Sequence, residues 1–214
     1  MRQPPNARAT IAMLACLALP GCASEALEEA GPDPWADLVI SFSPGEQAGF
    51  GAAGLPGVVL GAPQGKGASA GSTDVVSLGR SGTIVVAFDD IGLVDGPGPD
   101  LLVFENPFSG FVESGRVAVS QDGQTWHSWP CTGEEPDLSQ SSCAGVRPVL
   151  AHGAATIDLQ ALDEVGGDAF DLQELGLSDA RFVRIEDTGR NSYEGTTGGF
   201  DLDAVAVRNG VPLN

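Results

Sequence analysis

The sequence predicts an all-β protein, an antiparallel β-sandwich, and three observations carry that expectation. Short apolar segments recur between turn residues, with almost no helical period. Glycine (30) and proline (15) are abundant and aromatics make up only 6%, which suits short strands and many turns rather than long helices. Gln121-Asp122-Gly123-Gln124 sets Asp-Gly between two strand-like runs, the strongest short-range hairpin signal. At 214 residues and 42% hydrophobic, the chain has material for one sizeable core.

The elements follow in order. Leu38–Phe42 reads as the first strand. Residues 43–72 are so rich in glycine, with Pro44, Pro56 and Pro63, that only Val58–Leu60 suits a strand within them. Asp74–Leu78, Thr83–Phe88, Leu101–Glu105, Gly115–Ser120 and Thr125–Trp129 follow as strands, with Val146–Leu150 and Ala155–Leu159 as weaker candidates. Asp168–Leu175 reads as a short helix or turn capped by Asp168, and Arg181–Glu186 and Phe200–Arg208 close the chain.

The N-terminus carries an address. Arg2 and Arg8 precede the apolar run Ala9–Leu19, which is too short to span a bilayer and reads as a signal peptide over residues 1–21. Leu19-Pro20-Gly21-Cys22 resembles a bacterial lipobox, in which the thiol of Cys22 is acylated and becomes the new N-terminus. Ala23 at the next position, rather than Asp, points to the outer membrane. Residues 22–34 read as a flexible tether and 35–214 as the folded domain. Loss of Arg2 and Arg8 leaves eight basic against 29 acidic residues, moving the formal charge from −19 to −21. So acidic a body repels nucleic acid and anionic lipid, so the membrane partner is the lipid anchor and not the protein surface. In the oxidising compartment that this address implies, Cys131 and Cys143 across a polar loop read as a disulfide.

Phe88–Phe108 is the stretch with chemistry. Asp89, Asp90, Asp95 and Asp100 lie on or beside a Gly-Pro loop, and Glu105 and Asn106 follow; no lysine or arginine occurs between Arg80 and Arg116. Calcium takes six to eight hard oxygen ligands and is the natural counter-ion for such a set; a solvated acidic loop is the alternative. Asp201 and Asp203, two apart on the last strand, are expected on one face with Val205 and Val207 beyond them. The expected ligand set is Asp95, Asp100, Glu105, Asp201 and Asp203, with Asp89 in reserve, forming one site or two. Two other patterns are discounted. Gly61–Gly67 lacks the P-loop spacing and its Ser/Thr, and Gly67-Ala-Ser69-Ala-Gly71 lacks the strand-to-helix context of a nucleophile elbow.

Val117–Trp126 reads V-x-V-S-x-D-G-x-x-W, and Ala180-Arg-Phe-Val-Arg-Ile185 follows before a closing strand. This order resembles discoidin-type domains, which are galactose-binding-like jelly rolls. Asp95–Asp100 (DGPGPD), Val103–Phe108 (VFENPF), Cys143–Gly145 and Phe200–Val205 (FDLDAV) look like a group of bacterial cell-surface proteins. The resemblance implies a binding module with ligand loops at one end of the sandwich and, in many relatives, a structural calcium. Of Trp126 and Trp129, out of phase on one strand, only one can face the core. Arg190, Asn191 and Tyr193, in the loop expected over 188–199, are the candidate ligand contacts. The expected function is a lipid-anchored envelope module that binds calcium for structure and a glycan or surface protein for function. The alternatives are a secreted glycosidase or esterase, which the isolated His127 and His152 argue against, and a purely structural envelope component.

Overall fold

A computed structural model describes residues 32–108, 111–132, 142–191 and 198–213. Cys22 and Tyr193 lie outside the described residues, and so does the side chain of Asn191. The compact unit is Pro32–Asn214. The end of the expected tether belongs to it: Asp33 N–H donates to Asp90 Oδ2 at 3.1 Å, and Val207 N–H donates to the carbonyl of Pro34.

The fold is an antiparallel β-sandwich. One sheet has five strands in the order β1 (Leu38–Ser43), β3 (Thr83–Ala87), β10 (Phe182–Asn191), β6 (Glu113–Ser120), β7 (His127–Ser128). Its inward positions, Ile84, Val86, Val117, Val119, Val183 and Ile185, are all buried. They meet the inner face of β12 (Ala204–Val207), β5 (Leu101–Phe104) and β8 (Asp168–Phe170), which supplies Leu101, Val103, Val205, Val207 and Phe170 to the same core. Two smaller groups complete this layer: β11 (Asp201–Leu202) on β2 (Val76–Ser77), and β13 (Gly210–Pro212) on β4 (Ile91–Val94) on β9 (Asp179–Ala180).

The outer face of β5 and β12 is also covered. Leu102, Phe104, Ala204 and Ala206 pack with Val149, Ala151 and Val165 from a strap that includes the short helix α1 (Leu162–Val165). A strand buried on both faces reads as a continuous apolar run, which is why LLVF and AVAV carry no polar alternation.

Several expectations are corrected. Val58–Leu60 is not a strand: Gly57–Val59 forms a 3₁₀ turn, one of three in the glycine-rich run together with Ala52–Gly54 and Gly67–Ser69. Val146–Leu150 and Ala155–Leu159 belong to the strap, where Val149 makes only an isolated bridge to Gly166. Asp168 begins β8, and Asp171 caps the following 3₁₀ turn by accepting from Gln173 N–H. The segment expected as one loop from Asp89 to Asp100 contains β4, which Asp89-Asp90 and Gly92 conceal. The strand expected to stop at Glu186 continues to Asn191, because Gly189 (φ +71°) takes up a bulge that restores pairing with Glu113.

The last strand breaks at Asp203. Phe200 and Leu202 share the main core with Val205 and Val207, while Ala204 and Ala206 face the strap. The period-two alternation therefore slips between 202 and 205, as the chain leaves β2 for β5. Val205 and Val207 do not continue an Asp201–Asp203 face, as an uninterrupted period would require.

Candidate metal centre

Two carboxylate groups with metal-like spacing form among the described residues, and they divide the expected ligands between them. Glu105 and Asp201 join Glu113; Asp95 and Asp100 join Asp171. The reason is topological. β5 carries Asp100 just before its first residue and Glu105 just after its last, so the strand's length separates them to opposite ends of the sheet. Asp203 joins neither group: Gln64 N–H lies 3.0 Å from each of its carboxylate oxygens. Asp89 is exposed, and its N–H donates to Asp37 Oδ2 at 2.7 Å.

Asp100 is satisfied by protein donors. Gly96 N–H and Asn209 Nδ2 reach Oδ1, and Leu172 N–H reaches Oδ2, each at 2.8 Å. The Gly-Pro loop does gain a cation, since Arg208 Nη1 donates to the carbonyls of Pro97 (3.3 Å) and Pro99 (2.6 Å). The absence of a nearby base in sequence is thus remedied from β12's end, 109 positions away for Pro99. Asp100 is a structural carboxylate that ties the loop to β8's exit and the C-terminal turn.

The centre at the other end is different. One oxygen from each of Glu105, Glu113 and Asp201 lies within 4.8 Å of the others. Oxygens bound to one calcium at 2.3–2.6 Å stand at most about 5 Å apart, so the spacing suits a single ion. Glu105 follows β5, Glu113 opens β6, and Asp201 opens β11, so three strand ends converge. Glu105 is 2% exposed and Glu113 8%. Asp201 N–H donates to Glu105 Oε1 at 3.2 Å, while Glu105 Oε2 is buried with no hydrogen-bond partner among the described residues. Neither ion pair among the described residues, Arg116–Glu186 and Arg147–Asp163, involves Glu105 or Asp201.

The surrounding residues hold this arrangement. Ser77 Oγ donates to Asp201 Oδ1. Asn106 accepts from Ser72 N–H and donates to the Ser72 carbonyl at 3.0 Å, and its side chain also bonds Asp201. Gly71 permits that approach, since a Cβ there would stand 2.8 Å from both terminal atoms of Asn106. Asp187, 2% exposed, collects the amides of Ser81, Gly189 and Phe200 at 3.0, 2.7 and 2.9 Å and pins the strand leading to Asp201.

Burial, the charge of Asp201 and then that of Glu113 push the Glu105 carboxyl well above the ordinary glutamate range. Asp201 is raised too, chiefly by burial, against the hydrogen bonds from Ser77 and Asn106. Without a cation the centre therefore favours protons; a divalent ion would replace them. An orphaned buried oxygen among hard ligands fits calcium chemistry, and Glu105, Glu113 and Asp201 are the residues that would hold it.

The expected ligand set contains Glu105 and Asp201 of this group but not Glu113, and neither Ser77 nor Asp187 is singled out by the sequence; Asn106 is named only as the neighbour of Glu105. The one signal for Glu113 was Gly115 two residues on, where a Cβ would meet the Phe200 ring at 2.6 Å; such tight packing brings β6 against the strand leading into Asp201. Arg190 and Asn191 lie at the end of β10, with Asn191 paired to Glu113 in the backbone register. The expected ligand contacts thus begin beside the carboxylate centre.

Other expected features also have places. Cys131 and Cys143 are bonded, with S–S at 1.99 Å. Trp129 is the core tryptophan, 1% exposed, its Nε1 donating to the Asp171 carbonyl at 3.1 Å. Trp126 is half-buried on the other face, with the Arg184 guanidinium 4.5 Å from its ring centroid. Asp122 organises the hairpin turn: amides of Thr125 and Gln124 at 2.8 Å hold its carboxyl down at about 2. His127 is exposed on β7, and His152 Nδ1 accepts from Ala154 N–H at 3.1 Å. Among the described residues no helix is long and apolar enough to cross a membrane. No protein-family model, curated protein or solved structure matches this chain, and its chemistry is read from its own geometry.

Proposed function

We propose that the protein is a lipid-anchored, non-enzymatic binding module of the bacterial cell envelope, a discoidin-like sandwich stabilised by calcium that recognises a glycan or a surface protein. The observation that carries the calcium is Glu105 Oε2, buried and without a hydrogen-bond partner among the described residues, within a three-carboxylate pocket. Burial also favours an ion over a substrate here: at 2% and 8% exposure, Glu105 and Glu113 are too enclosed for a polymer to reach a catalytic pair. The signal peptide and Cys22 supply the address, and the acylated thiol is the membrane attachment.

The ion ties β5, β6 and β11 together at the end of the sandwich where Arg190 and Asn191 lie. Calcium there acts on stability and on the shape of the ligand-facing end. The test is thermal unfolding of the purified protein in EDTA and in millimolar calcium, followed by a glycan-array screen of the calcium-loaded form. Calcium at 100 times its dissociation constant raises folding stability by about 2.7 kcal/mol when the unfolded chain binds none. Superimposable melts would remove the calcium; an empty array and no captured surface protein would remove the binding module.

A further inference from the structure

The outward face of the five-stranded sheet is the part of this acidic molecule where basic residues prevail. From residue 32 onward the chain has 26 acidic and eight basic residues. Register places three rows across the sheet, directly opposite strand to strand. The first is Leu38, Ala87, Phe182, Ser120; the second is Ser41, Val85, Arg184, Ala118, Ser128; the third is Ser43, Thr83, Glu186, Arg116. Their neighbours along each strand face the core, so these rows lie on the opposite face, where Ala87, Ala118 and Ser120 are themselves buried while Arg184 and Arg116 are half-buried. They contain Arg184, Arg116 and one carboxylate, Glu186, which Arg116 meets at 3.3 Å. Arg181, adjoining the first row, lies over the Phe182 ring at 5.9 Å and donates through Nε to the Phe88 carbonyl.

Arg184 is the unusual member. It sits at the centre of the middle row, on the sheet's central strand, and forms neither of the two ion pairs among the described residues. Its guanidinium rests on the Trp126 indole instead, at 4.5 Å from the centroid. Stacking holds the fork in place while leaving its N–H edges free, the arrangement that binds a carboxylate in two parallel hydrogen bonds. In a chain so rich in acids, an arginine held without a carboxylate is available to an external one.

We propose that this face binds an acidic polysaccharide, a chain of uronate-bearing sugars whose carboxylates engage Arg184, held on the Trp126 ring, and Arg116. The inference rests on the envelope-module reading and names its ligand class. Two features favour this occupant. Arg184 and Arg116 stand on adjacent strands in successive rows of one sheet face, so neighbouring carboxylates of one chain can meet both. Repulsion from the rest of the body is screened beyond about 8 Å at physiological ionic strength, so the local excess of arginine decides the interaction.

Titration calorimetry of the full-length protein in detergent, with hexagalacturonate and its methyl ester, tests this. The acidic oligosaccharide should bind, the ester at least ten-fold more weakly, and binding should weaken as salt is raised from 50 to 300 mM, about the regime of screened contacts. Arg184→Gln should weaken binding at least ten-fold and Trp126→Ala several-fold, while Arg147→Gln, whose partner is Asp163, leaves it unchanged. Circular dichroism of each variant confirms folding. No binding of hexagalacturonate, equal binding by Arg184→Gln, or capture by anionic vesicles in place of the oligosaccharide would each overturn the proposal. A neutral glycan or surface protein bound equally by wild type and Arg184→Gln would overturn it too, yet leave the envelope module standing.

Discussion

Asp201 donates its backbone N–H to Glu105 Oε1 at 3.2 Å while the other oxygen of the same carboxylate stays buried, with no hydrogen-bond partner among the described residues. The two residues are 96 positions apart, and each opens or closes a strand. Backbone amides of Asp201 and Asn106 thus offset part of a buried charge, and the second oxygen is left without a donor among the described residues.

Glu105→Gln is the direct consequence. Removing the charge relieves repulsion with Asp201 and Glu113, so the calcium-free protein should gain stability, on the order of 1 kcal/mol. The same variant should lose the calcium-dependent rise in melting temperature. Paired melts in EDTA and calcium read both effects, and a calcium effect equal to wild type would exclude Glu105 as a ligand.

Asp100→Asn should behave in the opposite manner. Its carboxylate accepts three protein hydrogen bonds, and an amide cannot accept all three without presenting a donor to one of them. A loss of about 1–3 kcal/mol follows, while the calcium effect stays as in wild type. Denaturant unfolding with and without calcium measures the two quantities; a vanished calcium effect would place the ion at the Gly-Pro loop instead.

Asp168 sets a pH dependence. It is 6% exposed and accepts from the amides of Gly145, Val146 and Arg147 at 2.7, 3.1 and 3.2 Å, yet burial outweighs these donors and raises its carboxyl to about 7. A folded pKa above the unfolded value of about 3.9 means its contribution is complete below about pH 4 and is lost as pH rises towards 7. The loss is at most roughly 4 kcal/mol, at about 1.4 kcal/mol for each ten-fold difference in proton affinity between the folded and unfolded chains. Urea titrations at pH 4, 5.5, 7 and 8 should show a decline that Asp168→Asn flattens; identical pH profiles would refute the assignment.

The two tryptophans should differ in cost. Trp129 packs on Phe170 at 5.0 Å and bonds the Asp171 carbonyl, so Trp129→Ala should destabilise by about 3–5 kcal/mol. Trp126 is half-buried beneath Arg184, and Trp126→Ala should cost about 1 kcal/mol or less beyond its modest lost burial. Comparable losses in chemical denaturation would contradict the assignment of faces.

Cys131 and Cys143 close a loop with a separation of 12 residues. Replacing both by alanine should remove about 3 kcal/mol through the entropy regained by the unfolded chain. Melts of the double variant and of the reduced wild type should coincide. A double variant as stable as the oxidised wild type would show that the bond adds nothing.

What the sequence determined by itself was everything governed by local pattern and composition. Thr83–Ala87, Leu101–Phe104 and the strand around Val183 were legible because an apolar run between turn residues has one favourable way to bury itself. The Asp122-Gly123 turn was legible because its chemistry lies within five residues, and Cys131–Cys143 because few pairings were open. The acidity of Phe88–Phe108 was visible; its partition was not. Only the tertiary structure decided that Asp100 is sealed by Leu172 and Asn209, that Arg208 returns to the Gly-Pro loop, and that Glu105 meets Glu113 and Asp201. Those outcomes depend on which strands become neighbours and on a slip of alternation at Asp203. A carboxylate's role is fixed by the donors and charges within a few ångströms of it, and here the deciding ones include Leu172 and Asn209 for Asp100 and Asp201 for Glu105, about 70 to 110 positions away and beyond any local period.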